Sequence, residues 1–268
     1  MVSIIVTTRN EEANIGRLLS SIINQTYKDL EIIVVDNKSS DRTLEIAKKH
    51  TKNVYIKGPE RSAQRNFGVK KAKGKHVLIV DADMELTSGV VAGCVRKIKG
   101  HKMLIIPERT EGEGFMATIR KFEREMYMGD SSIEVARFFE KETFNEFGGY
   151  DLSLTGTEDY DLPKRIMDKY GKGSIGWAKE WIFHHETGLT LGKQLKKKFY
   201  YASKSVAYVK KHPGLILTQG NMLFRPAYFK NWKKFIGKPF VAIVFVFVKI
   251  LEMTAAFLGF IKGVLTSL

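Results

Sequence analysis

The chain has 268 residues, with 44 lysines and arginines against 29 aspartates and glutamates and a formal net charge of +15. Hydrophobic residues make up 44% and charged residues 27%, which excludes an intrinsically disordered protein and fits one large or two small domains. The single cysteine, Cys94, excludes an intramolecular disulfide and a metal site built from several cysteines. Because the first residues lack a basic region followed by a long apolar stretch, we expect no secretory signal.

Short apolar runs alternate with helical patterns at the start of the chain. The runs that suit strands buried on both faces are residues 2–7, 31–36 and 76–83. The segments with apolar residues at helical spacing are 12–25, 40–50 and, more weakly, 61–72. This order predicts an α/β fold, in which helices flank a mainly parallel, Rossmann-like sheet and the ligand binds at the carboxyl ends of the strands.

Polar residues gather at the predicted carboxyl ends of these strands. They are Thr7, Thr8, Asn10 and Glu11 after the first strand, Asp36 and Asn37 after the second, and Asp81 and Asp83 after the third. The first strand is followed by neither a Walker lysine loop nor G-x-G-x-x-G, which argues against ATPase or dinucleotide chemistry. Alternate carboxylates, as in Asp81-Ala82-Asp83, suit a hard divalent cation that also holds a diphosphate. A chance acidic pair that caps a strand is the alternative.

An acidic, glycine-containing stretch lies farther along the chain, at residues 108–114 (ERTEGEG). Its composition predicts a flexible loop. We interpret it as a candidate mobile element over the functional site.

Several segments together resemble the family 2 glycosyltransferases with a GT-A fold. The resemblance rests on VSIIVTTRNEEANIGRLLSSIINQTYKDLEIIVVDNKSSDRT and on AQRNFGVKKAKGKHVLIVDAD, whose motifs arrive in the order and spacing of the family. A later segment, FFEKETFNEFGGYDLSLTGTEDYDLPKRI, is similar to the acceptor-side region of the family, with its Gly-Gly turn and T-E-D motif. The resemblance covers about residues 1–186 and implies a GT-A domain over residues 1–188.

The resemblance implies a binding site for a nucleotide-sugar donor. Its base and ribose would lie at the first two strand ends, against Thr7, Thr8, Asn10, Glu11, Asp36 and Asn37. Many relatives have a second acidic residue where Asn37 stands, which leaves open which side chain contacts the base. Arg65 matches an arginine near the nucleotide, where a guanidinium would offset diphosphate charge. The alternatives are that Asp36 only caps its turn and that Arg65 is a surface charge.

The resemblance also implies a divalent cation, Mn²⁺ or Mg²⁺, and a catalytic base. In the family the second aspartate, here Asp83, usually ligates the metal, and the first, here Asp81, contacts the ribose or the metal shell. The cation would neutralise the departing nucleoside diphosphate. Asp159 of T-E-D matches the general base, and Glu158 would contact the acceptor or orient the loop. The alternative is that Thr157, Asp159 and Asp161 cap the N-terminus of the next helix.

Two further pairs complete the predicted site. Gly148 and Gly149 would form a tight turn that lets the backbone approach the donor sugar. His184 and His185 end a predicted short strand, where GT-A enzymes often carry a histidine that reaches the metal or the diphosphate. Neighbouring residues of a strand point to opposite faces, so at most one of the two can do so. We favour His185 slightly, and a purely structural role is the alternative.

The excess of positive charge is concentrated after the T-E-D region. Residues 189–238 contain 12 basic and no acidic residues, whereas residues 1–188 contain 30 basic and 28 acidic ones. An apolar stripe from Leu195 to Val209 among these lysines predicts a basic amphipathic helix at a membrane surface with anionic lipids. A solvated basic face, or packing onto the catalytic domain, is the alternative. We therefore expect residues 189–268 to form membrane-associating helices, and we do not expect a nucleic-acid partner.

Residues 240–260 are mostly apolar and just long enough to span a bilayer. Lys249 and Glu252 interrupt them, and each would cost about 2.5–3.5 kcal/mol at the bilayer centre, less if the two are paired. We therefore favour a shallow or re-entrant helix, with its charged side at the interface, over a full span.

The sequence thus predicts a metal-dependent, inverting glycosyltransferase at the cytoplasmic face of the cell membrane. Its donor would be a UDP- or GDP-sugar, and its acceptor would be polyprenyl or dolichyl phosphate, or a glycan or glycolipid linked to such a lipid. The intact T-E-D motif favours a hydroxyl acceptor over the lipid phosphate itself, because a phosphate oxygen that is already ionised needs little help from a base. The alternatives are a synthase that uses the lipid phosphate as nucleophile, a nucleotidyltransferase and a non-catalytic membrane-binding relative.

Overall fold

A computed structural model describes residues 1–130, 132–186, 188–215 and 225–266 of the chain. The chain forms two compact units, each built from three segments. The sheet unit consists of Met1–Glu108, Val135–Leu152 and Glu158–His185. The helical unit consists of Arg109–Glu134, Ser153–Thr157 and Glu186–Leu268. It therefore contains the predicted C-terminal segment together with two segments from the middle of the chain.

The sheet unit is built on a seven-stranded, mainly parallel sheet. Its strands, in spatial order, are β3 (Val54–Ile56), β2 (Leu30–Asp36), β1 (Val2–Thr8), β4 (His76–Asp81), β8 (Ala136–Glu140), β6 (Met103–Ile105) and β9 (Ile175–Trp177). All pairings are parallel except those of β8, which runs antiparallel to both β4 and β6. The helices of the unit are α1 (Ile15–Ile23), α2 (Thr43–His50), α3 (Arg61–Lys71), α4 (Val90–Lys97), α6 (Lys141–Glu146) and α7 (Glu158–Tyr170). The predicted α/β class is confirmed.

The core of the sheet unit lies on both faces of this sheet. Alternate residues of β1 point to opposite faces: Ile4 joins one apolar cluster, and Ile5 joins the other. Every residue of β1 is buried, which explains its unbroken apolar run. The register pairs Thr8 with Asp36 and Thr7 with Asp81. The polar residues that end β1, β2 and β4 therefore lie side by side at one edge of the sheet.

Further polar side chains of the predicted site lie on or beside short strands outside the seven-stranded sheet. The chain turns at Ala82 and Asp83 into β5 (Met84–Leu86), which pairs antiparallel with β10 (Ile182–His185). The prediction of a flexible loop over residues 108–114 is wrong in its first part, since β7 comprises Glu108–Glu111. The carboxylate of Glu108 is held by Arg137 and His184, which are distant in sequence and give no local signal.

The helical unit packs helices from the middle of the chain against its C-terminal helices. Its helices are α5 (Phe115–Tyr127), α8 (Leu191–Lys204), α9 (Val206–Lys211), α10 (Pro226–Lys230), α11 (Lys233–Gly237) and α12 (Pro239–Leu265). Phe122 of α5 makes edge-to-face contacts with Phe235 and Phe245, at ring-centroid distances of 5.6 and 5.3 Å. The single basic helix predicted after residue 188 is divided at Ser205 into α8 and α9.

The two charged residues of α12 are buried inside the helical unit. Lys249 and Glu252 are each 1% exposed, and the Lys249 ammonium donates to Glu252 at 2.5 Å and to Glu123 of α5 at 2.6 Å. Gln194 of α8 donates to the other oxygen of Glu252 at 2.9 Å. The expectation that the charged side of this helix lies at a membrane interface is therefore wrong. The reason is that Glu123, far away in sequence, neutralises Lys249.

Two glycines let α12 approach the backbone of α8. A Cβ atom on Gly259 would lie 2.2 Å from the carbonyl oxygen of Phe199, and one on Gly263 would lie 2.3 Å from that of Ser203. No side chain fits at these distances, so the two helices cross with their backbones in contact. By length and composition, α12 is the one helix among the described residues that would suffice to cross a membrane.

We expect Gly259→Ala to lower the free energy of unfolding by about 1–3 kcal/mol, because the added methyl group meets backbone rather than a movable side chain. Gly192→Ala in α8 is the matched control, since nothing lies within 4 Å of its Cβ position. That variant should gain about 0.5–1 kcal/mol through its helix propensity. Urea unfolding of both proteins measures the difference, and equal stabilities would contradict the close crossing.

Candidate active site

The ends of β1, β2 and β4 bring predicted site residues into direct contact. The Thr7 hydroxyl donates to the carboxylate of Asp81 at 3.0 Å, and the backbone N–H of Asn37 donates to the Thr8 carbonyl at 2.9 Å. Thr7 and Thr8 are buried, each 4% exposed. Parallel register alone produces this meeting of residues that are 74 positions apart.

Asp36 and Asn37 are fixed by the loops that follow β2 and β3. The buried carboxylate of Asp36 accepts hydrogen bonds from the backbone N–H of Ser39, at 2.7 Å, and from its hydroxyl. Asn37 donates to the carbonyl of Pro59 at 2.5 Å. A Cβ atom on Gly58 would lie 2.3 Å from the Asn37 side-chain oxygen. Asp36 therefore caps its own turn, and its predicted contact with a nucleotide stays a prediction.

Asn10 and Glu11 lie in the loop after β1. Asn10 has a φ of 54° and accepts a hydrogen bond from the backbone N–H of Ser40 at 2.9 Å. Burial raises the pKa of the Glu11 carboxyl, a hydrogen bond from Asn14 opposes the rise, and the charge of Asp83 adds to it. Glu11 thus lies close enough to the Asp-x-Asp turn to interact with it.

Arg65 joins the strand-end residues to the T-E-D motif. Its guanidinium is fully buried and donates to Asp159 at 2.7 Å and to Asp81 at 3.1 Å. It also lies 3.6 Å from a carboxylate oxygen of Glu158 and 5.3 Å from the ring centroid of Tyr150. The alternative that Arg65 is a surface charge is wrong. One guanidinium holds two carboxylates that the sequence assigns to different parts of the site.

The charge of Asp81 is already balanced by arginines. Burial would raise the pKa of its carboxyl, but Arg65, Arg61 and Arg137 outweigh that effect and hold the pKa well below its usual range. Asp81 is therefore ionised and engaged in ion pairs. Of the two aspartates in the turn, Asp83 is the better placed to accept a cation.

A ring of side chains connects the two aspartates by a second route. His184 lies with Nε2 3.0 Å from an Asp83 oxygen and with Nδ1 3.1 Å from a Glu108 oxygen. Arg137 donates to Glu108 at 2.7 Å and lies 3.7 Å from Asp81. A neutral imidazole has a single N–H and can donate to only one of its two carboxylate neighbours. A second proton on the ring would satisfy the other contact, and so would a cation held jointly by His184 and Asp83.

The spacing of His184 and Asp83 fits two ligands of one divalent cation. Neighbouring ligand atoms at octahedral Mg²⁺ lie about 3 Å apart, because each bond is about 2.0–2.1 Å long. Over the described ranges no group of three or more histidines, cysteines, aspartates or glutamates is placed to hold a metal on its own. The pair therefore suits a cation whose remaining ligands come from substrate phosphates and water.

The side chain of His185 points to the opposite face of β10 from that of His184. Its Nε2 lies 2.8 Å from a Glu85 oxygen, and its backbone N–H donates to the carbonyl of Asp83 at 2.9 Å. As the alternation of a strand requires, one histidine faces the Asp83 carboxylate and its neighbour does not. The histidine that faces it is His184, whereas the sequence slightly favours His185.

Glu158 and Asp159 are the first two residues of α7. A helix N-terminus favours carboxylates, so helix stabilisation and a catalytic role are compatible here. Glu158 is 2% exposed, and no group in the described part of the chain hydrogen-bonds to its Oε2. Burial and the nearby charge of Asp159 raise the pKa of Glu158. Asp159, which is 18% exposed at its side chain, is the more accessible of the two.

Gly148 and Gly149 form the predicted tight turn. Their φ angles of 69° and 72° lie in the left-handed region, and a Cβ on Gly149 would lie 2.6 Å from the side-chain oxygen of Asn66. Asn66 itself bonds both backbone groups of Tyr150, at 2.8 and 2.9 Å. The turn is thereby fastened to α3 next to Arg65. Its proximity to a donor sugar stays a prediction.

Two residues of the cluster were not identified from sequence. Arg137 is a buried charge within the apolar strand β8, and a lone arginine in such a run is the signal that would have revealed it. Glu108 opens β7 in a stretch whose composition predicts a loop, and no local signal distinguishes it.

The fold of the chain is the GT-A fold. Solved structures with this fold include TarS 1–349 from S. aureus in complex with UDP, with a TM-score of 0.53 and 17% identity, covering 99% of this chain and 91% of that one. The mannosyltransferase PcManGT from Pyrobaculum calidifontis, in complex with GDP-Man and Mn²⁺, has a TM-score of 0.58 and 17% identity, covering 96% and 73%.

Sequence comparison gives the family. Residues 3–153 match the sequence model of Glycosyl transferase family 2, and the chain belongs to this family. It is 35% identical over 106 residues to the GalNAc(5)-diNAcBac-PP-undecaprenol beta-1,3-glucosyltransferase of Campylobacter jejuni, a match that covers 36% of this chain and 34% of that protein. It is 37% identical over 90 residues to the UDP-Glc:alpha-D-GlcNAc-diphosphoundecaprenol beta-1,3-glucosyltransferase WfaP of Escherichia coli, covering 31% and 35%. The chain thus spans about a third of each of these relatives.

Proposed function

We propose that the protein is a metal-dependent, inverting glycosyltransferase that transfers a sugar from a UDP- or GDP-sugar to a lipid-linked acceptor at the cytoplasmic face of a membrane. The names of two relatives support the acceptor class, since both act on undecaprenol-linked substrates. Neighbouring structures with bound UDP or with GDP-Man and Mn²⁺ support the donor and the cation. We assign transfer to residues 1–188 and membrane association to residues 189–268.

The observation that carries this proposal is the position of Arg65 between Asp81 and Asp159, at 3.1 and 2.7 Å. In an inverting transfer, the acceptor oxygen attacks the anomeric carbon from the side opposite the leaving group. The site then needs a base on the acceptor side and stabilisation of the departing negative charge on the donor side. In this proposal Arg65 would join Asp81, on the donor side, to Asp159, the base on the acceptor side. It would thereby fix the distance between the two sides of the site.

On the donor side, the ends of β1 and β2 would hold the base and ribose. Asp83 and His184 would hold the divalent cation, which supplies positive charge for the departing nucleoside diphosphate. Glu108 donates no proton when ionised and instead accepts from His184, so it orients the imidazole toward Asp83. Asp81 stays paired with its arginines and keeps Arg65 and Arg137 in place.

On the acceptor side, Asp159 would take the proton of an acceptor hydroxyl as that oxygen attacks the anomeric carbon. The hydrogen bond from Arg65 leaves its second carboxylate oxygen available to an acceptor. Glu158 is buried, and its burial together with the nearby charge of Asp159 raises its pKa, whereas the partly exposed carboxylate of Asp159 is ion-paired with Arg65. The two carboxyls are therefore suited to different roles, base and orienting group.

The direct test is transfer by the full chain from a panel of UDP- and GDP-sugars to a native lipid extract. We expect activity with one donor and Mn²⁺, loss of activity in EDTA, and recovery when Mn²⁺ is restored. The released product should be a nucleoside diphosphate, and NMR of the new linkage should show inversion at the anomeric carbon. Release of pyrophosphate would indicate a nucleotidyltransferase, and unchanged activity in EDTA would contradict the cation.

A further inference from the structure

The long helix α12 exposes a stripe of apolar side chains on one side. These side chains are 47–77% exposed and fall at helical spacing: Phe240, Ile243, Phe247, Ile250, Phe257 and Leu265. A helix of 27 residues is about 40 Å long. Monomeric soluble proteins rarely expose a continuous apolar surface of this extent. The stripe therefore indicates a binding surface.

The opposite side of α12 is bound to the rest of the helical unit. Lys249 and Glu252 are buried in ion pairs with each other and with Glu123 of α5. Farther along, Gly259 and Gly263 lie against the backbone of α8. The charged side chains of α12 thus face the rest of the helical unit, and its apolar side chains face outward. This arrangement is typical of a helix that lies along a membrane surface and not of a single helix that crosses the bilayer.

The partner helix α8 argues against a span. Gln194 contacts Glu252, and Phe199 meets Gly259, so α8 runs beside the second half of α12 in the same direction. The exposed lysines of α8 are Lys193, Lys196, Lys197 and Lys204. If α12 crossed a bilayer, these lysines would enter the hydrocarbon with it or the buried ion pairs would be broken, and both changes are strongly unfavourable.

The residues before α12 supply charge that complements an anionic surface. Phe229, Trp232 and Ile236 of the α10–α11 region are 53–66% exposed, and the lysines among them, at positions 230, 233, 234 and 238, are exposed as well. Aromatic side chains and lysines together are typical of the headgroup level of a membrane. Residues 189–238 contain no acidic side chain that would repel anionic lipid.

We propose that α12 lies in the plane of the membrane, with its apolar stripe inserted into one leaflet of an anionic bilayer and its charged side held by α5 and α8. The lysines and aromatic side chains before it occupy the headgroup region. This inference deepens the proposed function and rests on its membrane-bound acceptor. Vesicle binding needs neither donor nor acceptor, so it tests the inference separately from glycosyl transfer.

The first test measures binding of the full chain to vesicles by co-sedimentation. The vesicles contain equal parts phosphatidylglycerol and phosphatidylcholine, and phosphatidylcholine alone serves for comparison. We expect Ile243→Glu to weaken binding by about tenfold or more, because it removes one inserted side chain and adds a charge. Ile23→Glu, at an exposed isoleucine of the sheet unit, is the matched control and should bind like the native protein.

Equal vesicle binding by Ile243→Glu and the native protein would overturn the proposal. Sedimentation velocity without lipid tests a second copy as the alternative occupant of the stripe. If the native protein dimerises and Ile243→Glu is monomeric with unchanged vesicle binding, the stripe is a dimer interface and the proposal is wrong.

The second test determines whether both ends of α12 lie on one side of the membrane. Lys233→Cys and Thr266→Cys place a thiol at either end, and the native Cys94 is buried. Sealed membrane vesicles from cells that express each full-length variant are treated with an impermeant maleimide. Labelling of both positions from the same side supports the in-plane arrangement, and labelling from opposite sides overturns it.

Discussion

Asp159→Asn is expected to reduce the rate of glycosyl transfer by about 10²–10⁴-fold, because asparagine keeps the shape of the side chain but cannot take a proton. Arg65 keeps its contacts with Asp81 and Glu158 in this variant, so the donor side should remain intact. The dissociation constant of UDP or GDP, measured by calorimetry, should therefore change by less than about threefold, well under 1.4 kcal/mol.

Asp168→Asn is the matched control for this result. Asp168 lies on the same helix, is exposed, and pairs with Lys164 at 2.7 Å, so its loss should leave transfer unchanged. A rate for Asp159→Asn within about tenfold of the native rate would contradict its role as a general base. Such a rate would instead favour an acceptor that is already ionised, as in a synthase that uses the lipid phosphate as its nucleophile.

Lys249→Met is expected to lower the free energy of unfolding by about 3–5 kcal/mol, because it removes the central cation of a buried cluster. Glu123 would retain Arg120 at 2.5 Å, and Glu252 would retain Gln194 and the more distant Lys198. Each carboxylate would nevertheless lose its shortest ion pair with lysine. Urea unfolding, monitored by far-UV circular dichroism, measures the loss.

Lys262→Met provides the control, since Lys262 is an exposed lysine of the same helix and should change stability by no more than about 0.5 kcal/mol. The double variant Lys249→Met/Glu252→Gln should be more stable than Lys249→Met alone, because it also removes the buried carboxylate whose remaining lysine, Lys198, is 3.7 Å away. If Lys249→Met unfolds at the same urea concentration as Lys262→Met, the buried cluster contributes nothing to stability.

The sheet could be predicted where its sequence is locally uniform. β1, β2 and β4 are unbroken apolar runs, because parallel strands between helices are buried on both faces. β8 carries Arg137 among its apolar residues and runs against its neighbours, so no run or periodicity identified it. The same holds for β7, whose acidic and glycine-rich surroundings predict a loop although Glu108 is neutralised by distant partners.

The sequence predicts those residues of the site that lie at the ends of the parallel strands. Thr7 and Asp81 can both be found in the sequence as polar residues at the ends of apolar runs, and the parallel register of β1 and β4 then brings them together. The choice between His184 and His185 depends on which face of β10 is turned toward Asp83, and alternation alone does not give the face. The family resemblance places Arg65 near the nucleotide, but the contact of Arg65 with Asp159 joins positions 94 residues apart, which one sequence does not reveal.

The helical unit has a consequence for the order in which the protein is made. Its helix α5 is synthesised more than a hundred residues before α12, which supplies the lysine for Glu123 and the aromatic partner for Phe122. Until residues 239–265 have left the ribosome, Glu123 of α5 therefore lacks Lys249, and the apolar face of α5 lacks the aromatic side chain of Phe245. A shortened chain that ends after the T-E-D region would remain in that condition permanently, so it should aggregate rather than yield a separate catalytic domain.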